Sequence, residues 1–251
     1  MEIKIIIATH KACPMPEDPL YLPVHAGTAC HDYTLPFTGD NTGDHISGKN
    51  PNYCELTALY WAWKNVQADC IGLCHYRRYF RGRSGILTGE EAGALMERSD
   101  IVLPRRRNYW IETNYSQYIH AHHPEDLTIT RQILEERSAS GKVMPYLDAY
   151  DAVMKRTHGH RFNMLIMRRE LLDEYCTWLF DILFELEARL DISQYDPYSR
   201  RVFGFVSERL LDVWITANGL SFREVPCLFT EKVNWPKKIA AFLKRKFRPT
   251  Y

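Results

Sequence analysis

A short apolar run, Ile71-Gly72-Leu73-Cys74, leads directly into His75-Tyr76-Arg77-Arg78-Tyr79-Phe80. A strand end carrying a histidine, two arginines and two tyrosines suits an anionic group attached to a planar one. Guanidinium forks match phosphate oxygens, and tyrosine rings stack on a base or a sugar. In an open α/β sheet, ligands bind at the carboxyl ends of the strands. The segment therefore predicts a phosphate-bearing ligand at that point, with Tyr76 beside it. The plainer reading is a strand end whose arginines pair with surface carboxylates. Successive residues of a regular strand point to opposite faces, so one of Arg77 and Arg78 is expected at the ligand and the other as a brace.

Four other groups of residues carry chemistry. Thr9-His10-Lys11 follow the β-branched run Ile3 to Ala8, again at a strand end. Asp44, Ser47, Lys49 and Asn50 precede a helix whose N-terminus, with Lys and Asn beside it, can receive phosphate; the plainer reading is a capped loop. Phe203-Gly204-Phe205-Val206-Ser207-Glu208-Arg209 reads as a helix start with Ser207 as N-cap. Glu208 would then lie in the first turn, where the helix dipole favours a carboxylate, placed as a general base or serving only as capping chemistry. Tyr115, Tyr118, His120, His122, His123, Glu125 and Asp126 form an aromatic, histidine-rich stretch. It lacks the two-histidine helical spacing of a zinc protease, so recognition of sugar or acceptor hydroxyls suits Tyr115, Tyr118, His120 and Asp126 better than a metal. A polar surface loop is the plain alternative. No GxxxxGK[ST] or GxGxxG motif is present, which argues against nucleotide binding by those loops.

The elements that must position these groups alternate. Strands are expected at Ile3–Ala8, Asp69–Leu73, Asp100–Leu103, Phe162–Met167 and Ser221–Val225. Helices are expected at Tyr53–Asn65 (with an Asn52 cap and Glu55 three residues on), Thr88–Glu97, Pro124–Glu136, Tyr146–Met154, Arg169–Leu190 and Ser207–Ala217. Alternation of this kind argues for an α/β layered sheet. Residues 12 to 52 are rich in Pro, Gly, Asp and Thr, and a connection of that length is expected to carry function.

The 251 residues are 45% hydrophobic and 25% charged, an ordinary globular composition. No apolar run is long enough to span a bilayer, and Met1 to Ala8 reads as a buried strand, not a signal peptide. Seven scattered cysteines without CxxC spacing point to reduced core residues and a cytoplasmic location. The net charge of +1 hides an asymmetry. Residues 232–251 carry seven Lys or Arg and no acid, leaving 25 basic against 31 acidic residues elsewhere. On a helix, Trp235, Ile239, Phe242 and Leu243 share one face, and the bases from Lys237 to Arg248 surround it. That pattern predicts a basic amphipathic C-terminal helix lying on an anionic membrane surface. A packing helix with a solvated basic side is the alternative, and nucleic acid is not the expected partner.

Taken together, Asp69 to Phe80, Asn163 to Met167 with Tyr175 and Trp178, and Phe203 to Trp214 resemble a family of small bacterial glycosyltransferases. Members were long labelled only a domain of unknown function and are encoded among capsule, exopolysaccharide and O-antigen (lipopolysaccharide) genes. Thr9-His10-Lys11 and the Asn50–Tyr60 helix fit as well. The resemblance implies a GT-A-type, Rossmann-like mixed sheet flanked by helices, forming one domain over residues 1–231 with the tail 232–251 appended. It implies a hexosyltransferase acting on a nucleotide-sugar donor, with UDP as carrier and galactopyranose or galactofuranose as the sugar. The acceptor would be a glycan or a polyprenyl-linked glycan at the inner face of the cytoplasmic membrane. In such folds an Asp-x-Asp motif holds a divalent metal on the diphosphate. Here HYRRYF stands in its place, so no cofactor is assigned, a metal stays open, and His75, Arg77 and Arg78 would take up the leaving-group charge. Thr9, His10, Lys11, Asp44, Lys49, Asn50 and Tyr76 would hold the donor, and Glu208 would be the base of an inverting transfer. A metal-dependent phosphoester or nucleotide hydrolase using the His-rich stretch, and a sugar-nucleotide binding module without turnover, remain alternatives.

Overall fold

The computed structural model describes residues 1–139 and 145–231. The basic tail, with its expected amphipathic helix and membrane contact at Lys237–Arg248, lies outside the described residues.

Among the described residues, nine strands form one mixed sheet. Its centre is β1 (Ile3–Thr9) beside β4 (Cys70–His75), paired in parallel from Ile3↔Cys70 to Ala8↔His75. On one side β1 pairs in parallel with β2 (Tyr21–His25), which pairs with the short β3 (Thr38–Gly39). On the other side β4 pairs antiparallel with β9 (Leu165–Arg168). Then come β6 (Ile101–Pro104), antiparallel to β9, and β10 (Arg223–Val225), parallel to β6. β5 (Arg78–Phe80) folds back on β4 at His75↔Arg78 and carries β11 (Cys227–Phe229). A separate ribbon joins β7 (Arg107–Asn108) to β8 (His158–Gly159).

This topology decides where the site falls. β1, β4, β6 and β10 all run the same way, and β9 runs against them. The carboxyl ends of the first four and the entry to β9 therefore share one rim of the sheet. His10, the His75–Arg78 turn, the loop after Pro104 and the segment Arg161–Asn163 are brought together although up to 153 positions separate them in the chain.

Both faces of the sheet are covered, which explains the continuous apolar run Ile5 to Ala8 of β1. Ile6, Ala8, Ile71, Leu73, Leu165 and Met167 enter one hydrophobic cluster, and Ile5, Ile7, Cys70, Cys74 and Ile166 enter the other. The first cluster packs against α2 (Leu56–Asn65), α5 (Pro124–Ala139), α6 (Tyr146–Lys155), α7 (Arg169–Arg189) and α8 (Val202–Ala217). The second packs against α3 (Gly89–Met96), whose Thr88–Glu91 capping box fixes its start. The short α1 (Asn50–Tyr53) and α4 (Asn114–Ile119) lie at the rim.

Three expectations change. The helix expected over Tyr53–Asn65 is two pieces, because Cys54 takes φ 53 and breaks it; Glu55 consequently forms no capping box. The last long helix starts at Val202, not Ser207. Asp196 caps its approach, accepting from the backbone N–H of Tyr198 (2.7 Å) and Ser199 (3.1 Å), while Ser207 turns inward. Residues 12–52 are not structureless. They supply β2 and β3, and the carboxylate of Asp40 accepts from the Gly27 and Thr28 amides and the Ser47 hydroxyl, closing the loop on itself.

β4 and β9 approach closely at Gly72. A Cβ there would meet the Leu165 carbonyl oxygen at 2.9 Å and the Ile166 and Ile5 Cγ1 atoms at 3.1 Å. Gly72→Val is therefore expected to destabilise the fold by about 1–3 kcal/mol through overpacking. Urea unfolding measures this, and an unchanged midpoint would mean the sheet centre is looser than described.

Candidate active site

Two adjoining hollows open on the rim. One, of ≈ 260 Å³, lies against Thr9, His10, Ala26 and Asn50. The other, of ≈ 660 Å³, extends past Arg78 and Phe162 to Trp110, Tyr198 and Glu208. They share Cys54, Glu55, His75, Arg77 and Arg201, so they form one cleft with two lobes.

The floor is set by the approach to β9. Phe162 (φ 78) and Asn163 (φ 53) are consecutive non-glycine residues in the left-handed region. Asparagine tolerates that region, but phenylalanine there is strained. What holds them is visible. The Phe162 N–H donates to Glu208 Oε1 at 2.9 Å. The Asn163 amide donates to Glu55 Oε1 (3.0 Å) and the Gly204 carbonyl (3.1 Å), and its own oxygen accepts from the Ser207 hydroxyl (2.7 Å). Gly204 is where α8 comes closest to the α1–α2 break: a Cβ there would lie 3.3 Å from Cys54 Sγ. The two residues thus tie both carboxylates to one turn, Glu208 through the Phe162 amide and Glu55 through the Asn163 side chain.

The cations come from five places in the chain. Arg77 sits in the two-residue turn between β4 and β5 and Arg78 on β5, so the chain bends between them. Both line the cleft, and the expected division into a ligand arginine and a brace does not hold. Arg77 Nε is buried and has no hydrogen-bond partner among the described residues. Arg78 lies 4.3 Å over the Phe162 ring. Arg201, just before α8, donates to Cys54 Sγ at 3.1 Å. Burial pushes that thiol up to about 12, so Cys54 is an uncharged neighbour. Arg161 is fully engaged. It donates to the Tyr109 hydroxyl, the Asn114 side chain and the His160 carbonyl, which ties the loop after β7 to the floor. The buried Arg209 donates to Glu208 Oε2 (3.1 Å) and Gln117 (2.7 Å).

The acids differ in setting. Glu208 receives a backbone amide on one oxygen and Arg209 on the other, with Arg161 at 3.9 Å. It lies seven residues into α8, beyond the first turn to which dipole effects are confined. The expected role of the helix end therefore lapses, and direct hydrogen bonds do the positioning. Glu55 was legible only as a failed cap. Burial raises its carboxyl above the ordinary glutamate range, and the Glu208 charge adds to the rise. His75 is not a cation. Burial, then Arg77 and Arg78, pull its imidazole down to about 3, so at neutral pH it offers a hydrogen bond and no charge. Its Nδ1 accepts from the Arg77 amide at 3.2 Å.

Among the residues expected at the donor, Thr9, His10 and Asn50 line the smaller lobe. Tyr76 is buried beneath it, edge-on to His10, with Lys11 4.9 Å over its ring. Lys11 and Arg77 both face the exposed Glu231 carboxylate at 3.6 and 3.7 Å. Lys49 turns away to pair with Glu187 on α7 at 2.7 Å. Asp44 accepts from Tyr60 and stays outside the cleft. Among those expected at the acceptor, Tyr118 and Asp126 are buried in a closed set in which Asp126 accepts from Tyr118 and Tyr195, both at 2.7 Å. Their hydroxyl and carboxylate are used by the core and cannot reach a sugar. His120 pairs with Glu112 at 2.8 Å, and the exposed Tyr115 is outside the cleft lining. The residues of that stretch that do reach the cleft are Gln117 and His122. The three imidazoles diverge, to Glu112, to Phe205 and Tyr198, and to Tyr195. No group of three or more metal-ligating side chains occurs among the described residues, and no helix among them is long and apolar enough to cross a membrane.

A nucleotide-sized cleft at the strand ends of a mixed α/β sheet, cationic and holding two carboxylates, suits a class of enzymes that act on phosphorylated donors. The chain belongs to the family described as a domain of unknown function (DUF4422), which matches residues 4–219. Among solved structures it is similar to the apo structure of the WbbM bifunctional glycosyltransferase, at 29% identity and a TM-score of 0.83 over 92% of this chain. It spans 46% of that longer chain. No curated protein matches it. The expected GT-A-like α/β architecture is borne out.

The neutral His75 has a measurable consequence. Its folded value lies far below the ordinary 6.5, so the unfolded chain binds the proton more readily, and this share of stability is present above about pH 6.5 and lost as pH falls toward 3. His75→Gln is expected to flatten the dependence of unfolding free energy on pH between about 6.5 and 4. Urea denaturation at several pH values reads this, and an unchanged slope would mean His75 is solvated and unperturbed.

Proposed function

We propose that the chain transfers a hexose from a nucleoside diphosphate donor, UDP-linked, to a glycan acceptor in the synthesis of a bacterial surface polysaccharide. The observation that carries this reading is the convergence of Arg77, Arg78 and Arg201 with two carboxylates in one cleft, on a fold similar to a glycosyltransferase. The acceptor oxygen attacks the anomeric carbon as the bond from that carbon to the diphosphate oxygen breaks. The electron pair leaves with the diphosphate, whose growing charge the three arginines stabilise, and His75 donates a hydrogen bond from its Nε2–H. Glu208 takes the acceptor proton, giving inversion. Thr9, His10 and Asn50 hold the nucleoside side of the donor. The bases among Lys237–Arg248 support a peripheral position at an anionic membrane surface, near a polyprenyl-linked acceptor.

One observation favours a second assignment of the base. Burial raises the carboxyl of Glu55 above the ordinary glutamate range, and a carboxylate so raised is a stronger base. The two assignments separate in a pH profile. With Glu208 as base, Glu208→Gln loses about 10²–10⁴ in kcat and Glu55→Gln keeps turnover. With Glu55 as base, the activity falls away at a pH above the ordinary glutamate range, and Glu55→Gln abolishes it.

The reading as a whole is tested by thermal stability with UDP, GDP, CMP and dTDP, each with manganese or with EDTA. A ligand at about 100 times its dissociation constant stabilises by about 2.7 kcal/mol, so UDP is expected to raise Tm clearly, EDTA notwithstanding. Arg77→Ala is expected to remove most of that rise. A rise that needs manganese would restore a metal on the diphosphate, and no rise with any nucleotide would remove the donor from the account.

A further inference from the structure

The chain carries a large apolar side chain where water should be all around it. Trp110 is 83% exposed. It is also strained: it takes φ 62, and the Ile111 N–H donates across it to the Tyr109 carbonyl at 2.7 Å. That is a γ-turn of the rare positive-φ kind. A bulky residue in this region is an outlier that persists only where its surroundings over-determine it. They do so here. The Tyr109 hydroxyl accepts from the buried Arg161, the Tyr109 amide donates to the Thr157 carbonyl at 2.7 Å, and the Thr113 capping box fixes the chain three residues later. The indole is thus held out at one end of the larger lobe, which also contains Glu208.

A second ring occupies the same lobe. Tyr198 is 52% exposed and stacks on His122, with centroids 5.7 Å apart at 18°. Its backbone is pinned by Asp196. Polar groups share the lining with these aromatics. Gln117 is fixed with its NH2 as donor because its oxygen accepts from Arg209 at 2.7 Å, and Asn108 comes from β7.

Flat apolar faces and amides in one lining match one ligand chemistry. A pyranose or furanose ring has a face of C–H bonds that lies on an aromatic ring, and hydroxyls around its edge that pair with amides. A lipid chain would use the rings and leave the amides unpaired, at a cost.

We propose that Trp110 and Tyr198 form the acceptor subsite and that the acceptor is recognised by its terminal sugar rings, not by a lipid carrier. This rests on the transferase reading above and names the acceptor end of the same cleft.

The test uses the full chain, with Trp110→Ala, Trp110→Phe and Tyr198→Ala, on an immobilised array of lipid-free hexose oligosaccharides. The wild type is expected to be retained on a subset of the array. Retention should weaken roughly tenfold in each alanine variant and be largely kept in Trp110→Phe, since a phenyl ring still stacks. The Tm rise with UDP should be the same in all four proteins, which also shows that the variants fold. Co-sedimentation with vesicles of equal parts phosphatidylglycerol and phosphatidylcholine is the companion arm. Loss of vesicle binding in Trp110→Ala with unchanged oligosaccharide retention would overturn the proposal in favour of membrane insertion. A blank array for the wild type, or equal retention by all variants, would overturn it as well. If UDP still stabilises the protein in that case, the transferase reading stands without this subsite. If UDP fails while Trp110-dependent retention persists, the subsite stands and the donor reading falls.

Discussion

The arrangement depends on a strained turn of three residues, Arg161-Phe162-Asn163. Two of them take left-handed backbone conformations, and for Phe162 this costs on the order of 1–3 kcal/mol. The turn is held by a backbone amide on Glu208, by the Asn163 amide spanning Glu55, Gly204 and Ser207, and by the Arg161 guanidinium reaching Tyr109 and Asn114. An extended Phe162 would turn its N–H away from Glu208 and carry the Asn163 amide away from Glu55. The strain is therefore what joins the sheet rim to α8 and to the break between α1 and α2.

Charge in the cleft follows from this framework. Arg77, Arg78 and Arg201 share the space with two carboxylates, and His75 adds no positive charge because burial and its arginine neighbours keep it neutral. The carboxylates are distinguished by their partners. Glu208 is locked between a backbone amide and Arg209, whereas Glu55 has Asn163 and a dry setting that favours its protonated form. A cleft that holds like charges close together in the absence of ligand is poised for a polyanion, which relieves the repulsion on entry. The exposed Glu231 beside Lys11 and Arg77 shows how readily those cations accept a carboxylate.

Much of the layered fold was legible because its signals are periodic. The β-branched run of β1 and the helices expected from Thr88 and from Arg169 lie where their patterns put them. Arg77, Arg78, His75 and Glu208 were found because unusual residue types crowd against apolar runs. Glu55, Arg161, Arg201 and Trp110 carry no such signal. Each lies at a place set by tertiary packing: a helix break forced at Cys54, a guanidinium enclosed by a distant loop, a cap moved upstream to Asp196, and a turn with positive φ. Tyr118 and Asp126 show the reverse error. Their residue types suited a sugar, but their spacing on α4 and α5 points them at each other and at Tyr195. Composition identifies groups able to do chemistry, and only packing decides whether they face a ligand or the core.

The most direct measurement is a crystal structure of the full chain with UDP bound. The account predicts the diphosphate within hydrogen-bonding distance of Arg77 and of Arg78 or Arg201, with the nucleoside toward Thr9, His10 and Asn50. Finding the nucleotide instead at the opposite end of the sheet, against Arg168 and Arg169, or finding its phosphates away from the His75–Arg78 turn, would contradict the assignment of the rim cleft as the donor site.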